Sequence, residues 1–424
     1  MRIKNNSIVM EDIAATCFFL ICFFKSFWYL SAPDIFLRFM MFFGALLAVV
    51  ISRPSTFLKI TKLELIWILT LMIPIISRVF RTYHGNSMSE TIGFTTFYIS
   101  STLYAFACAR NKRLISSSFK IIFFYMLFFV ICTILFKFTP SLYLNNILPM
   151  FNRDENLRLG YLSGNMAGLT SHYSTNAIYM AGAVLLAVST VMTNRKKSRS
   201  WIIFLVLSGI ALFMTGKRGQ LIFSIAAIMI GYYFYNVDKP KGRLFKLICL
   251  LVLGTCLIYI GYLIVPSAFS SITRILSKME TDDITTGRIS LWLQAISYFK
   301  EYPVIGIGFK QFIRITGLDV HNIYIQFLCE TGIVGAVVYL SALIYTFRVN
   351  LKNLITAKLE HLYERSIELN EKYLLFSFLY QIFFLTYGIT GNPFYDLPSL
   401  MPYMFSVGIT LYYQKDIKRQ LGTN

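Results

Sequence analysis

The chain has 424 residues, of which 56% are hydrophobic, 17% are aromatic and only 14% are charged. Soluble domains carry about 25% charged residues, so this composition excludes an ordinary soluble protein and predicts one integral membrane domain over residues 1–424. The formal net charge of +20 does not indicate nucleic acid, because the basic residues lie mostly in short segments between apolar runs, where they set membrane orientation.

The apolar runs predict an all-α polytopic protein with about twelve transmembrane helices, each long enough to cross about 30 Å of hydrocarbon. The predicted spans cover residues 11–30, 35–51, 63–79, 91–109, 115–136, 172–192, 200–214, 219–235, 246–265, 322–347, 373–390 and 398–414. The first run lacks a small-residue cleavage site, so we expect it to be retained as a span rather than removed as a signal peptide.

An even number of spans places both termini on one side, and compact basic clusters mark that side as cytoplasmic. The clusters are Arg53/Lys59/Lys62, Arg110/Lys112/Arg113/Lys120, Arg195–Arg199, Lys239–Lys246, Arg348–Lys372 and Lys415–Arg419. Residues 137–171 and 266–320 then form two long outer loops. The seven cysteines lie inside or at the edges of apolar runs, which predicts free, buried thiols without a disulfide framework.

The second of these loops contains a predicted amphipathic helix. Its apolar residues recur at helical spacing and are Ile289, Trp292, Leu293, Ile296 and Phe299. Thr285 or Thr286 is expected to cap this helix, and a Trp on the apolar face predicts that the helix lies at the membrane surface. We therefore expect a helical lid over the outer mouth of the bundle, with residues 137–171 forming the opposite wall.

Three basic residues are candidates for binding an anion on the outer side. Lys217 and Arg218 lie in a short turn between two spans, where they either anchor to lipid phosphates or clamp a diphosphate, for which the planar guanidinium is well suited. Arg288 begins the lid helix, where a cation opposes the helix dipole. Its partner is either an acidic residue within 280–283 or an anionic ligand such as a lipid-linked diphosphate.

His321 precedes predicted span ten, which contains Gly332 and Gly335 at positions that favour close helix packing. A lone interfacial histidine is more often simply solvated, but the outer cations converge on the same face and favour a functional role. With an ordinary pKa near 6.5, an imidazole is a competent general base.

Weaker candidates accompany His321. His172 and Tyr324 are candidates for sugar binding, while Glu330 lies within a span and is either functional or paired with a basic neighbour. The histidines are scattered and the acidic residues form only one tight pair near the basic face, so no metal site is expected.

One stretch of the chain resembles the signature region of the O-antigen ligase/polymerase superfamily of membrane glycosyltransferases. The matching residues are Gly287, Arg288, Trp292, Phe299, Pro303, Gly306, Ile307, Gly308, Phe312, His321, Asn322, Gly332 and Gly335. The turn Thr215–Gly219 is similar to the conserved arginine turn of that superfamily, and the resemblance covers about residues 210–340.

The resemblance implies a GT-C-like enzyme of the bacterial inner membrane with a periplasmic active site. It implies that Arg218 and Arg288 bind the diphosphate of an undecaprenyl-diphosphate-linked glycan and that His321 serves the acceptor. We expect His321 to be the general base, Arg288 to be catalytic as well as diphosphate-binding, and Lys217 to assist Arg218 in binding the diphosphate. No metal or cofactor is expected, and attack opposite the diphosphate predicts inversion. Expected partners are membrane lipids and a chain-length regulator, with no nucleic acid.

The sequence leaves three functions open. The Gly-Lys-Arg-Gly turn and the Gly-Arg-x3-Trp start of the lid resemble polymerases more than ligases. This resemblance favours a polymerase of O-antigen or related repeat units over a ligase that transfers the polymer to lipid A–core. A flippase or transporter is the alternative of another class, although the halves are dissimilar and the expected pseudo-symmetry is missing. An inactive scaffold does not explain the basic outer residues.

Overall fold

The computed structural model describes residues 2–27, 34–52, 60–80, 88–151, 154–194, 198–246, 248, 288–360 and 371–422. Within these ranges the regular secondary structure is helical, without a strand. Predicted span nine, the capping threonines, the acidic residues of 280–283 and the rest of the outer loop before Arg288 lie outside the described residues.

Every other predicted span coincides with a helix, because long apolar segments satisfy their backbone most simply in that form. The helices are α1 (Arg2–Phe27), α2 (Asp34–Ile51), α3 (Lys62–Phe80), α4 (Met88–Cys108), α5 (Lys112–Phe138), α6 (Asp154–Leu162), α7 (Tyr173–Thr193), α8 (Arg199–Met214), α9 (Arg218–Tyr235), α10 (Arg288–Glu301), α11 (Gln311–Thr316), α12 (Ile323–Leu359), α13 (Glu371–Tyr387) and α14 (Leu397–Gln420). Short helical turns over 140–150 and α6 make the predicted outer loop at 137–171 largely helical.

Among the described residues, α5, α7 and α12 are long and apolar enough to cross a membrane, and shorter apolar helices lie within α2, α4 and α8. The described part of the chain is therefore all-helical, with helices suited to a membrane protein. The number of about twelve crossings and the cytoplasmic position of the termini stay predictions.

Aromatic rings fill the interior of the bundle. The rings of Phe18 in α1 and Tyr104 in α4 stack with their centroids 3.7 Å apart. The indole of Trp67 in α3 donates a hydrogen bond of 2.9 Å to the hydroxyl of Thr346 in α12. Five cysteines are free and buried as predicted, and Cys249 and Cys256 lie outside the described residues.

Buried polar side chains join α12, α13 and α14. Asn350 donates to the Ser377 hydroxyl at 2.9 Å, and Gln381 donates to the Thr410 hydroxyl at 2.8 Å. Such interhelical hydrogen bonds stabilise helix contacts where water is absent. These hydrogen bonds therefore tie the three helices to one another.

Helix α12 is broken at Gly332, where the backbone adopts φ 62° and ψ −168°. The segment 303–308 runs along this break and binds the backbone groups that the break frees. Ile333 donates its N–H to the carbonyl of Pro303 at 2.8 Å, and Ile307 donates to that of Cys329 at 3.0 Å. Irregular backbone is tolerated at membrane depth when it is buried in protein and hydrogen-bonded in this way.

Two glycines permit this close approach. A Cβ on Gly332 would lie 2.3 Å from the carbonyl oxygen of Val304, and one on Gly306 would lie 2.5 Å from the carbonyl carbon of Glu330. Both residues also have positive φ, which only glycine adopts without strain. Gly332 thus serves contact with an irregular segment rather than the predicted helix packing, whereas a Cβ on Gly335 would meet Ile73 of α3 at 3.0 Å.

The predicted lid helix is present as α10, but its Trp faces the protein. Trp292 donates from Nε1 to the carbonyl of Val320 at 3.0 Å, and Ala295 is buried against the same cluster. Ile289 and Leu293 are instead 50% and 63% exposed. The indole therefore holds α10 on the chain that leads to α12. The position of α10 at the membrane surface and its role as a lid stay predictions.

Candidate functional site

The predicted site residues lie at one end of the bundle, here called the site end. The turn that carries Lys217 joins α8 to α9, His321 lies just before α12, and Arg288 begins α10. The opposite end carries residues of the predicted cytoplasmic clusters, including an ion pair of 3.7 Å between Lys358 and Glu371. The basic residues of the candidate site thus lie at the end of the bundle opposite these predicted cytoplasmic residues.

His321 is held by the structure on both sides of it. Its backbone has φ 55°, a left-handed conformation that is uncommon for residues other than glycine. The next residue, Asn322, caps α12, and its side-chain oxygen accepts from the N–H groups of Tyr324 and Ile325 at 3.1 and 3.2 Å. The preceding residue is held by the indole of α10, so the position of the imidazole is determined by both helices.

Charged groups surround the imidazole of His321. Burial lowers its pKa below the usual 6.5, the Asp319 carboxylate raises it, and the cations Arg288 and Lys217 lower it further. The net direction is downward, so the ring is uncharged at neutral pH and able to accept a proton.

The cations Lys217 and Arg288 also interact with each other. Burial and the charge of Arg288 lower the pKa of Lys217 to about 8, and the Lys217 ammonium lies 4.3 Å from the centroid of the Tyr173 ring. Arg218 follows as the first residue of α9 and is half-buried. Like charges held together repel each other, so an anionic ligand at this point relieves that repulsion.

Several residues near the site were missed by sequence reasoning. Burial raises the pKa of Asp319, while His321 and Lys310 lower it, and the Asn392 side chain faces the carboxyl. Tyr387, at the end of α13, lies within electrostatic range of Arg288 and Asp319. Asp319 could have been found from the sequence, because it lies only two residues before His321. Nothing in the sequence near Tyr387 or Asn392 indicated this site.

The candidates for sugar binding are placed differently. The Tyr324 hydroxyl donates to the carbonyl of Leu385 at 2.5 Å and so joins α12 to α13. His172 caps α7, with Nδ1 accepting from the N–H of Ser174 at 3.1 Å, and its ring centroid lies 4.2 Å from that of Tyr173. His172 therefore borders the cationic group through Tyr173, and the sugar-binding roles of both residues stay predictions.

Glu330 has a clear structural role. Its buried carboxylate accepts from the backbone N–H of Lys310 at 3.0 Å, from the Tyr395 hydroxyl at 2.8 Å and from the Gln326 amide at 3.1 Å. These bonds tie α12, beside its break, to the segment after 308 and to the turn before α14. A buried carboxylate with this many donors needs no further ligand to explain it.

The described part of the chain offers no cluster of metal ligands. Within the described ranges, no group of three or more His, Cys, Asp or Glu side chains is placed to hold a metal ion. The acidic pair Asp282/Asp283 lies outside them. Metal-independent chemistry stays a prediction.

Comparison with known proteins finds a family that resembles part of the chain. Residues 203–340 match the family described as O-antigen ligase, and this region contains Lys217, Arg218, Arg288 and His321. The chain is also 24% identical over 167 residues to the exopolysaccharide production protein ExoQ of Rhizobium meliloti (strain 1021), a match that covers 34% of this chain and only 36% of that relative. Both matches support the resemblance of this region to the O-antigen ligase/polymerase superfamily.

Proposed function

We propose that this protein is a glycosyltransferase that joins repeat units of O-antigen or a related polysaccharide, using undecaprenyl-diphosphate-linked glycans as substrates. The site end would face the periplasm of the bacterial inner membrane, with both termini in the cytoplasm. One observation carries the proposal: Lys217, Arg288 and His321, distant in the chain, interact electrostatically in one place. The match of residues 203–340 to the O-antigen ligase family supports the same class of chemistry.

The arrangement suits glycosyl transfer from a diphosphate. A hydroxyl oxygen of the acceptor sugar attacks the anomeric carbon of the donor, and the bond between that carbon and the diphosphate oxygen breaks. His321 accepts the hydroxyl proton, and the cationic groups of residues 217, 218 and 288 stabilise the negative charge on the departing undecaprenyl diphosphate. Attack from the face opposite the diphosphate inverts the anomeric configuration.

A reconstituted reaction tests the proposal. Purified protein in lipid vesicles, supplied only with undecaprenyl-diphosphate-linked repeat units, is expected to produce longer lipid-linked glycans. Gel electrophoresis of the released glycan measures the length. Movement of the substrate across the vesicle membrane without a new glycosidic bond would instead identify a flippase.

A ligase is the second candidate, because the matched family is described as O-antigen ligase. A ligase transfers the finished polymer to lipid A–core, whereas a polymerase extends the chain on the carrier lipid. A deletion strain discriminates the two. Core bearing a single repeat unit indicates polymerase, and bare core with full-length polymer retained on the carrier indicates ligase.

The pH dependence of the reaction reports the state of His321. Because its pKa is lowered and its neutral form is the base, kcat/KM should rise with pH through that lowered pKa and be level at neutral pH. Asp319→Asn removes the negative charge that raises this pKa, so the acidic limb should move to lower pH. If Asp319 did not raise the pKa of His321, the acidic limb of the pH profile would stay in place or move to higher pH.

His321→Ala is expected to reduce turnover by about 10²- to 10⁴-fold and to remove this acidic limb, since the general base is lost. The comparison requires equal amounts of inserted protein, measured by quantitative immunoblotting of membranes. Near-normal turnover of His321→Ala would show that another group accepts the proton.

A further inference from the structure

A cavity lies beside the cationic group and takes no part in the chemistry described above. It has a volume of about 410 Å³ and lies between α6 and the turn that leads into α7. Its polar lining residues are Asn156, Ser163, Asn165, Ser171 and His172. A cavity of this size accommodates a small organic ligand, since binding pockets span about 300–1,000 Å³.

The cavity shares its inner wall with the turn that carries the cations. Asn165 lines the cavity, and a Cβ on Gly216 would lie only 2.0 Å from its side-chain oxygen. The next residue, Met166, donates its N–H to the carbonyl of Met214 at 3.0 Å. Tyr173 also lines the cavity, and its ring is the one that contacts the Lys217 ammonium at 4.3 Å. A ligand that fills the cavity therefore adjoins whatever the cations bind.

The lining indicates an uncharged ligand rich in hydroxyl groups. The described residues that line the cavity include no Asp, Glu, Lys or Arg, so a phosphate would prefer the neighbouring cations. Amide and hydroxyl side chains offer both donors and acceptors, as sugar hydroxyls require. The Nδ1 atom of His172 accepts from a backbone N–H, so the neutral ring carries its proton on Nε2, which adds a donor. A lipid chain would require an apolar lining instead.

We propose that this cavity binds the sugar units of the lipid-linked substrate that directly follow its diphosphate. The inference rests on the proposed function and deepens it: the cations hold the diphosphate, while the cavity recognises the glycan. It assigns the choice of glycan to residues of α6 and of the turn before α7, in a region outside the matched residues 203–340.

A pair of tryptophan variants on one helix tests the cavity without disturbing the core. Leu159 lines the cavity and is 63% exposed, whereas Leu162 on the same helix is 70% exposed and is not among the lining residues. Leu159→Trp should fill the space and raise KM for undecaprenyl-diphosphate-linked repeat units by about tenfold or more, as expected when one or two hydrogen bonds to the sugar are lost. Leu162→Trp should keep the wild-type KM.

A second variant separates hydrogen bonding from bulk. His172→Asn keeps a good helix cap but removes the imidazole Nε2, and should raise KM severalfold without a change in thermal stability. Undecaprenyl diphosphate without sugar provides the contrasting probe, because only the cations would contact it. Its inhibition constant should be unchanged in Leu159→Trp and His172→Asn but raised in Arg218→Ala.

The outcomes are distinguishable. If the wild type extends the glycan but Leu159→Trp and His172→Asn keep the wild-type KM, the cavity does not bind sugar and only this inference fails. Equal weakening of glycan-bearing and sugar-free lipid in Leu159→Trp would also overturn it, since the defect would then concern the diphosphate. A wild type that neither binds nor extends the lipid-linked glycan would end the proposed function itself.

Discussion

Arg288→Ala is expected to reduce glycan extension by about 10³-fold or more, because under the proposed function it removes the guanidinium that would stabilise the leaving diphosphate in a partly buried site. The position of Arg288 supports a direct role: it begins α10 and interacts electrostatically with both Lys217 and His321. Without this cation, the pKa of His321 should also rise. The measurement is the rate of extension with saturating lipid-linked repeat units.

Two further variants define what Arg288 supplies. Arg288→Lys should fail as well, since an ammonium cannot form the paired hydrogen bonds of a guanidinium with a diphosphate. Lys300→Ala is the matched control, because Lys300 is an exposed basic residue in the last turn of the same helix; it should extend glycan at the wild-type rate. Full activity of Arg288→Lys would mean that only the charge matters, and full activity of Arg288→Ala would remove Arg288 from the site.

Gly332→Ala is expected to have the largest effect on stability. The new Cβ would lie 2.3 Å from the carbonyl oxygen of Val304, on a backbone with φ 62°. Left-handed strain costs about 1–3 kcal/mol and the overlap about 1–3 kcal/mol more. The substitution should therefore push the 303–308 segment away from α12 and separate Arg288 from His321, with loss of activity as a consequence.

Thermal unfolding in detergent, together with limited proteolysis between α10 and α12, measures this effect. Gly209→Ala is the control, since a Cβ there meets nothing within 4 Å and the residue lies inside α8; it should be neutral or slightly stabilising. A melting temperature of Gly332→Ala equal to that of the wild type would show that the break in α12 tolerates a side chain.

Local features of the sequence were sufficient to predict much of the architecture. Long apolar runs determine helices because the lipid offers no other partner for the backbone, and within the described residues each predicted span is helical. The basic turn at Lys217, the start of α10 at Arg288 and the motif at His321 were recognisable because each combines an unusual charge or ring with a membrane boundary. Their convergence at one end followed from the order of the helices.

Only the tertiary structure decided how these pieces meet. The sequence predicts a glycine at a helix contact, but the break at Gly332 and its pairing with 303–308 depend on hydrogen bonds between distant segments. The direction of Trp292, the placement of Tyr387 near Arg288 and the cavity beside α6 likewise depend on long-range packing. Hydropathy and helical periodicity predict the local structure of each segment. The site instead depends on contacts between segments distant in the sequence, and no local pattern encodes those contacts.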